Sequence, residues 1–478
     1  MGGDYRSAID VADAVSAGER DPEAIVEEAI DRIEARNDRT NAFVTITAEY
    51  ARERARDVAA RLANGADLPL AGVPVGVKDL GDTIEGVVHT RGLSPLADNV
   101  AEETAVVVER LEEAGAIPVG TTNTPALGHT VRTDNDLVGP TASPFDTGRN
   151  AGGSSGGSAA ALAEGLVPLA TGSDVGGSLR NPAACTNVVS VKPTHGLVPK
   201  GTGLNGFLGT SPVAVRGPMA RDTRSLGRML DVMAGIDSID PFSVPAPDEY
   251  EPAARPRDPG DLDLAYSPDL DLFPVAPAVR ESLDTTLSAL EDEGATVERV
   301  SLDVPDRHEV NQAYLQTVTT FFATEVEEVS RELGYDLVAE HREDLTEQFL
   351  AIVETGRNQD AMDVTSADFT RTELYHAVED VLDRYDALVA PTLATPPLTH
   401  DEPFPTEIDG ESTGGMPTDW TLAWIFNLTG HPVVNVPAAL TDGLPVGMQV
   451  VGRPFAEATL LGIAATVESV SPWQYPDE

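Results

Sequence analysis

Apolar residues recur at two different periods along this chain, and the changes of period mark out its elements. Ile25, Ala29, Ile30 and Ile33 fall at helical spacing behind Asp21-Pro22-Glu23, a helix-start signal, and residues 52–62 continue that period. The first seventy residues therefore read as helical. At 71–77 the pattern becomes a short apolar run of strand type that ends on Lys78 and Asp79. An amphipathic helix follows at 104–114, closed by Gly115, with a strand at 116–120. The same unit returns as a strand at 262–266, a helix carrying Val279, Leu283, Leu287 and Leu290, and a strand at 296–300. Strand runs at 387–390, 433–436 and 446–451 precede a last helix at 457–467.

Strands alternating with helices predict an α/β fold whose sheet is largely covered. Residues 237–260, rich in Pro and Asp, and 391–417, with Pro396-Pro397, read as irregular connections. Helix and strand units resume after each, so the expected architecture is one domain over 1–478. It comprises a helical region at 1–70, a core at 71–235 and a remainder at 261–478. No solenoid-type repeat is visible.

Composition changes this picture in one respect. No apolar run approaches the roughly 18 residues of a membrane span, and residues 1–6 begin no secretory signal, so a soluble cytoplasmic protein is expected. Cys185 is the only cysteine, which excludes an internal disulfide framework. The 79 acidic and 32 basic residues, however, give a formal charge of −47. That sign disfavours nucleic-acid binding. The acids are spread along helical faces, as at Glu109, Glu112 and Glu113, instead of forming a tail. Such self-repulsion wants screening, which points to a salt-loving organism with a salty cytosol.

Only Lys78, Lys192 and Lys200 are lysines. A chain that has shed this residue keeps it where arginine cannot serve, and a buried lysine can become a neutral base where arginine cannot. Chance survival suits Lys200 and a structural ion pair suits Lys192. Lys78, between an apolar strand and an aspartate, is the candidate base.

The strongest signal runs from Gly152-Gly153-Ser154-Ser155-Gly156-Gly157-Ser158, through an Ala-rich helix-like stretch, to Gly172-Ser173-Asp174-Val175-Gly176-Gly177-Ser178-Leu179-Arg180-Asn181-Pro182. A flexible linker would not lead straight into residues that must bury. Gly152-x-Ser154-x-Gly156 matches a nucleophile elbow, but the preceding residues are turn-like where the elbow needs a strand. A phosphate loop fails for want of its Gly-Lys-Ser/Thr. None of the eight histidines lies in this run, and none has a ligand partner at short spacing, so neither metal nor other cofactor is assigned.

This run resembles the serine-rich signature of the amidase-signature family. The resemblance extends to Gly72-Val73-Pro74-Val75-Gly76-Val77-Lys78-Asp79, Gly120-Thr121-Thr122-Asn123-Thr124-Pro125, Val191-Lys192-Pro193-Thr194-x-Gly196 and Gly443-Leu444-Pro445-Val446-Gly447-Met448-Gln449. It implies a large mixed, twisted sheet covered by helices, and hydrolysis of an amide to a carboxylate and ammonia or an amine. It also implies Ser178 as nucleophile, Ser154 as a bridging serine after a cis peptide, and Lys78 as the ultimate base. Backbone amides of Val175, Gly176, Gly177 and Ser178 are the expected oxyanion donors. Asp174 and Arg180 are expected to hold the loop through hydrogen bonds, with Ser155 and Ser173 as outer donors. The chain departs from the family pattern at Ser190, where glycine is usual, and at Ser143, often asparagine.

Two other functions stay in view. One is that of the glutamine-hydrolysing component of a tRNA-dependent amidotransferase, against which the sequence Leu197-Val198-Pro199-Lys200-Gly201-Thr202-Gly203 argues. The other is a silent acidic binding protein on the same fold, against which the joint retention of Lys78, Ser154 and Ser178 argues. The expected partner is a small-molecule amide, and a second copy of the chain is the one protein partner considered. Residues 321–349 and 419–426 are the candidate acyl-pocket segments through Phe321, Phe322, Phe349, Trp420, Trp424 and Phe426, with ordinary core as the preferred reading of those side chains.

Overall fold

The computed structural model describes residues 7–201, 205–207 and 213–476. Residues 1–6, and Thr202 and Gly203 of the segment that argues against an amidotransferase, lie outside them. One sheet of 11 strands collects segments from nearly the whole chain. In chain order the strands are β1 (Phe43–Ile46), β2 (Pro74–Lys78), β3 (Ile117–Thr122), β4 (Leu169–Asp174), β5 (Val189–Lys192), β6 (Val215–Ala220), β7 (Asp263–Tyr266), β8 (Thr296–Arg299), β9 (Ala387–Pro391), β10 (Val433–Pro437) and β11 (Gly447–Val451). Their spatial order is β1-β3-β2-β4-β6-β5-β10-β11-β9-β7-β8. The pairs β2/β3, β2/β4, β9/β7 and β7/β8 are parallel and the others antiparallel, so the sheet is mixed.

Helices cover both halves. The principal ones are α1 (Ala8–Ser16), α2 (Pro22–Thr40), α3 (Ala48–Ala63), α4 (Val106–Glu113), α5 (Gly156–Ala163), α6 (Arg180–Thr186), α7 (Thr223–Met233), α8 (Pro277–Asp292), α9 (Arg307–Leu333), α10 (Glu347–Arg357), α11 (Ala361–Leu382) and α12 (Glu457–Val470). Asp21 caps α2 by accepting from the Glu23 amide, with Pro22 in the first turn, as the sequence signal required. Among the described residues no helix is long and apolar enough to cross a membrane.

The strands and helices read from periodicity appear within a few residues of their expected limits. The helical N-terminal region needs one correction. Phe43–Ile46 is an edge strand, antiparallel to β3, entered through Asn41 in the left-handed conformation. Its burial, one buried residue and then three half-buried ones, gives no alternation of faces. Periodicity does not predict the two long helices α9 and α11, because Thr317 and Thr319 interrupt the apolar stripe of α9 and α11 is buried mainly over its second half.

The central strands are buried on both faces, and α5 is sunk completely among them. Small residues make this possible. A Cβ at Gly157 would overlap the Asn123 amide nitrogen, so the helix touches the chain leaving β3 backbone to backbone. Gly157→Ala is expected to destabilise by about 1–3 kcal/mol through overpacking, although alanine is the better helix former. Gly260→Ala, where the new Cβ meets only Asp258 Oδ1 at 3.4 Å, serves as control. Equal denaturant midpoints for the two variants would disprove the close approach.

Candidate active site

Parallel neighbours β2 and β4 deliver their carboxyl ends to the same edge of the sheet. Lys78 ends β2, and its amide donates to Thr171 Oγ1 of β4 at 2.9 Å. Its side chain is fully buried, with Nζ 2.7 Å from Ser154 Oγ and 2.9 Å from Ser173 Oγ. Ser154 stands on the loop that enters α5, after a cis Gly153–Ser154 peptide. Asn150 braces that loop: its carboxamide accepts from the Thr133 and Gly152 amides at 3.1 and 3.0 Å and donates to the Thr133 carbonyl at 3.0 Å. Thr133 Oγ1 in turn accepts from the Gly156 amide at 3.1 Å.

Burial lowers the Lys78 pKa to about 7, helped by the charge of Arg216 and opposed by Asp82 and Asp174. The amine is therefore poised between its two forms near neutrality. As an ammonium it donates to both serines. As a neutral amine it accepts from Ser154 while still donating to Ser173.

The loop carrying Ser178, 175–179, leaves the end of β4 and enters α6. Asp174 organises it. The carboxylate accepts from the Gly177 amide at 2.7 Å and the Leu179 amide at 3.1 Å. It also pairs bidentately with Arg180, at 3.0 Å from both Nε and Nη2. Asn427 donates to it at 2.8 Å. Burial opposes ionisation of Asp174, but the charge and hydrogen bonds of Arg180 outweigh it, holding the carboxyl below its ordinary range. The oxyanion expectation narrows accordingly. Gly177 directs its N–H back to Asp174, at a backbone φ of +104°. The amides of Val175, Gly176 and Ser178 have no acceptor among the described residues, and all three residues line the adjoining cavity.

That cavity, of about 270 Å³, also exposes Ser154, Ser173 and Ser178. One wall is a stripe of α9 at helical spacing: Tyr314, Val318, Phe321, Phe322, Glu325 and Val329. Tyr314 stands over Gly176, Val318 to Phe322 form an apolar middle, and Glu325 brings a carboxyl with Lys200 and Arg216 nearby in charge range. Burial raises the Glu325 pKa and lowers that of Lys200 to about 8. His129, edge-on to Phe322, is held neutral by burial.

Ser154 and Ser178 thus line one cavity, with Lys78 buried behind Ser154, although the two serine hydroxyls make no direct hydrogen bond in this arrangement. Ser173 lies closer to the centre than expected, directly on Lys78. Ser155 is an outer support: its amide donates to the Ser178 carbonyl at 3.2 Å. Among the described residues no ion pair to Lys192 is formed: its Nζ is buried 3.4 Å from the Pro193 carbonyl, while Asp174 pairs with Arg180 and Glu457 Oε1 accepts from the Thr194 amide. Lys200, read as a chance survivor, lines the cavity. Of the six candidate pocket aromatics, Phe321 and Phe322 line it, whereas Phe349, Trp420, Trp424 and Phe426 are buried in hydrophobic clusters. The departures at Ser190 and Ser143 are absorbed locally, each hydroxyl donating to a backbone carbonyl at the ends of α6, Leu179 and Cys185 respectively. Sequence reasoning missed Thr133, Asn150, Arg216 and Tyr314, which carry no motif and reach the site only through folding.

Comparison with known proteins agrees with this geometry. The Amidase family model matches residues 24–461. An acylamidase of Rhodococcus erythropolis is 35% identical over 474 residues, 98% of this chain and 96% of that protein. The corresponding component of the glutamyl-tRNA(Gln) amidotransferase of Moorella thermoacetica is 34% identical over 482 residues, 97% and 96% of the two chains. A solved bacterial aryl acylamidase of the amidase signature family superposes with a TM-score of 0.91 at 31% identity, covering 98% of this chain and 96% of that one. The matched family model, the relative 35% identical over nearly its whole length and the shared fold agree: the chain belongs to the amidase family.

Proposed function

We propose that this amidase hydrolyses its amide through an acyl-enzyme on Ser178, with Ser154 and Lys78 carrying the proton. The observation that supports this most is the buried Lys78 amine 2.7 Å from Ser154 Oγ, in the cavity that Ser178 also lines. Ser178 Oγ attacks the carbonyl carbon and gives its proton to Ser154, whose own proton passes to Lys78 Nζ. The relay then runs backwards to protonate the departing nitrogen as the C–N bond breaks. Water repeats the sequence on the ester, releasing the carboxylate. Uncommitted amides of Val175, Gly176 and Ser178 are suited to receive the oxyanion. The aryl acylamidase likeness, together with Phe321 and Phe322 on the cavity wall, supports amides bearing an apolar or aryl group.

The likeness to a glutamyl-tRNA(Gln) amidotransferase component keeps a second reading in play. The purified chain by itself discriminates. Turnover of aryl amides without any other protein supports the stand-alone amidase. Glutamine hydrolysis that appears only when the other amidotransferase components are added would reverse the assignment.

Ser178→Ala is expected to abolish hydrolysis, and Ser154→Ala to reduce kcat by at least about 10²-fold, with both variants folded. A fluorophosphonate should label the wild type and not Ser178→Ala. Labelling that survives in Ser178→Ala and disappears in Ser154→Ala would transfer the nucleophile to Ser154.

Lys78 must be neutral to accept a proton, and its pKa is lowered to about 7. kcat/KM is therefore expected to fall about tenfold per unit as pH drops below that value. Lys78→Arg, which stays protonated, and Lys78→Met should both lose at least about 10²-fold in kcat. Wild-type turnover in Lys78→Arg would refute the relay.

A charge of −47 supports adaptation to a salty cytosol. Thermal melting in dilute buffer should occur well below melting in molar KCl, where the Debye length shrinks to about 3 Å. A melting temperature indifferent to salt would remove the basis for this reading.

A further inference from the structure

The Tyr314 ring packs into the fold, but its hydroxyl bonds to no described residue. The ring lies against Trp424, with centroids 4.7 Å apart and planes at 34°. Trp424 is itself packed edge-on by Phe273. The hydroxyl at the end of this rigid stack hydrogen-bonds to no described residue, and it opens into the cavity that Ser178 lines. Tyr314 is half-buried, and its hydroxyl stands open to the cavity as a donor that a bound ligand can take.

Its position is specific. A Cβ built on Gly176 would overlap Tyr314 Oη and lie 3.3 Å from Cζ, so the hydroxyl occupies the side-chain space of Gly176. It therefore sits on the oxyanion loop, beside an amide with no acceptor. The loop has also lost one potential donor, because the Gly177 N–H is committed to Asp174 at 2.7 Å. We propose that Tyr314 Oη touches the substrate and donates to the developing oxyanion, joining the backbone amides of Val175, Gly176 and Ser178. This rests on the acyl-enzyme reading above and adds to it a side-chain donor contributed by α9, some 140 residues beyond the loop it serves, a separation read from the numbering of Gly176 and Tyr314. Burial and the charge of Asp174 raise the phenol pKa, so the hydroxyl keeps the proton it must donate. Such a donor acts on charge that appears only in the transition state, so its loss lowers kcat more than it raises KM.

Tyr314→Phe keeps the ring stack and removes only the oxygen. It is expected to lower kcat by about 10²-fold on an aryl amide, with KM and melting temperature near wild type, the range measured for single oxyanion donors elsewhere. Binding of phenylboronic acid, whose tetrahedral adduct on Ser178 mimics the intermediate, should weaken at least about tenfold, while binding of the product carboxylate should not change. Gly176→Ala should reproduce the kcat loss by displacing the hydroxyl, and the double variant should be little worse than either single one. Wild-type kcat and boronate affinity in Tyr314→Phe would overturn the proposal, as would a loss confined to KM or to melting temperature. Ser178→Ala, measured alongside, reads the parent assignment separately. Turnover surviving there sinks the acyl-enzyme itself, whereas turnover abolished there but intact in Tyr314→Phe sinks only the role of the hydroxyl.

Discussion

The buried pair of Asp174 and Arg180 is the constraint on which the rest of this site depends. Both side chains are fully shielded from solvent, and a charge so placed survives only when nearly every donor and acceptor is used. Here they are. Arg180 directs its guanidinium to Asp174, to the Ala423 carbonyl at 2.6 Å, to Gln449 Oε1 at 2.7 Å and to Asn427 Oδ1 at 2.7 Å. The pair therefore joins the end of β4, the loop carrying Ser178, α6, the 423–427 segment and β11. A rigid fork of five N–H groups can do this where a lysine ammonium cannot. The loop geometry follows from it, because the carboxylate that pairs with Arg180 also takes the Gly177 and Leu179 amides.

Lys78 uses the same low-dielectric interior for the opposite purpose. Arg180 has its charge met by the Asp174 carboxylate and three carbonyl oxygens. Lys78 has hydroxyls for direct partners, Ser154 and Ser173, and burial therefore pushes it toward neutrality. Two cations in one buried region are thus assigned different protonation chemistry by what each one touches. The large negative surface charge changes this little, since interactions among exposed carboxylates are screened over a few ångströms in salt while buried groups are screened far less.

The helix α9 joins the catalytic edge to the cavity. It packs on α10 and α11 and presents one stripe inward, from Tyr314 at the loop through Phe321 and Phe322 to Glu325. With 1.5 Å of rise per residue, a single rigid element sets the spacing between the reacting centre and the charged end of the cavity. Changes on that stripe alter what fits without touching Lys78, Ser154 or the Asp174–Arg180 pair.

The candidate site was legible in the chain because local, ordered motifs carry it. Lys78 at a strand end, the glycine-serine run with Ser154 and Ser178, and Asp174 and Arg180 beside Ser178 could all be located by their neighbours in sequence. The strands and amphipathic helices that lie flat on the core were legible for a similar reason: burial of one face imposes a period. Phe43–Ile46 has one buried residue followed by three half-buried ones, the stripe of α9 is interrupted by Thr317 and Thr319, and α11 is buried mainly over its second half, so none shows a clean contrast in sequence. Contacts across long separations had no signature at all. Tyr314 over Gly176, Arg216 near Lys78, Lys192 without an ion pair among the described residues, and the division of the six aromatics between cavity and core were decided by tertiary packing. A residue's type and near neighbours determine what chemistry it can offer; which partner it meets, and whether water reaches it, depends on chain segments that only the folded sheet and helices bring together.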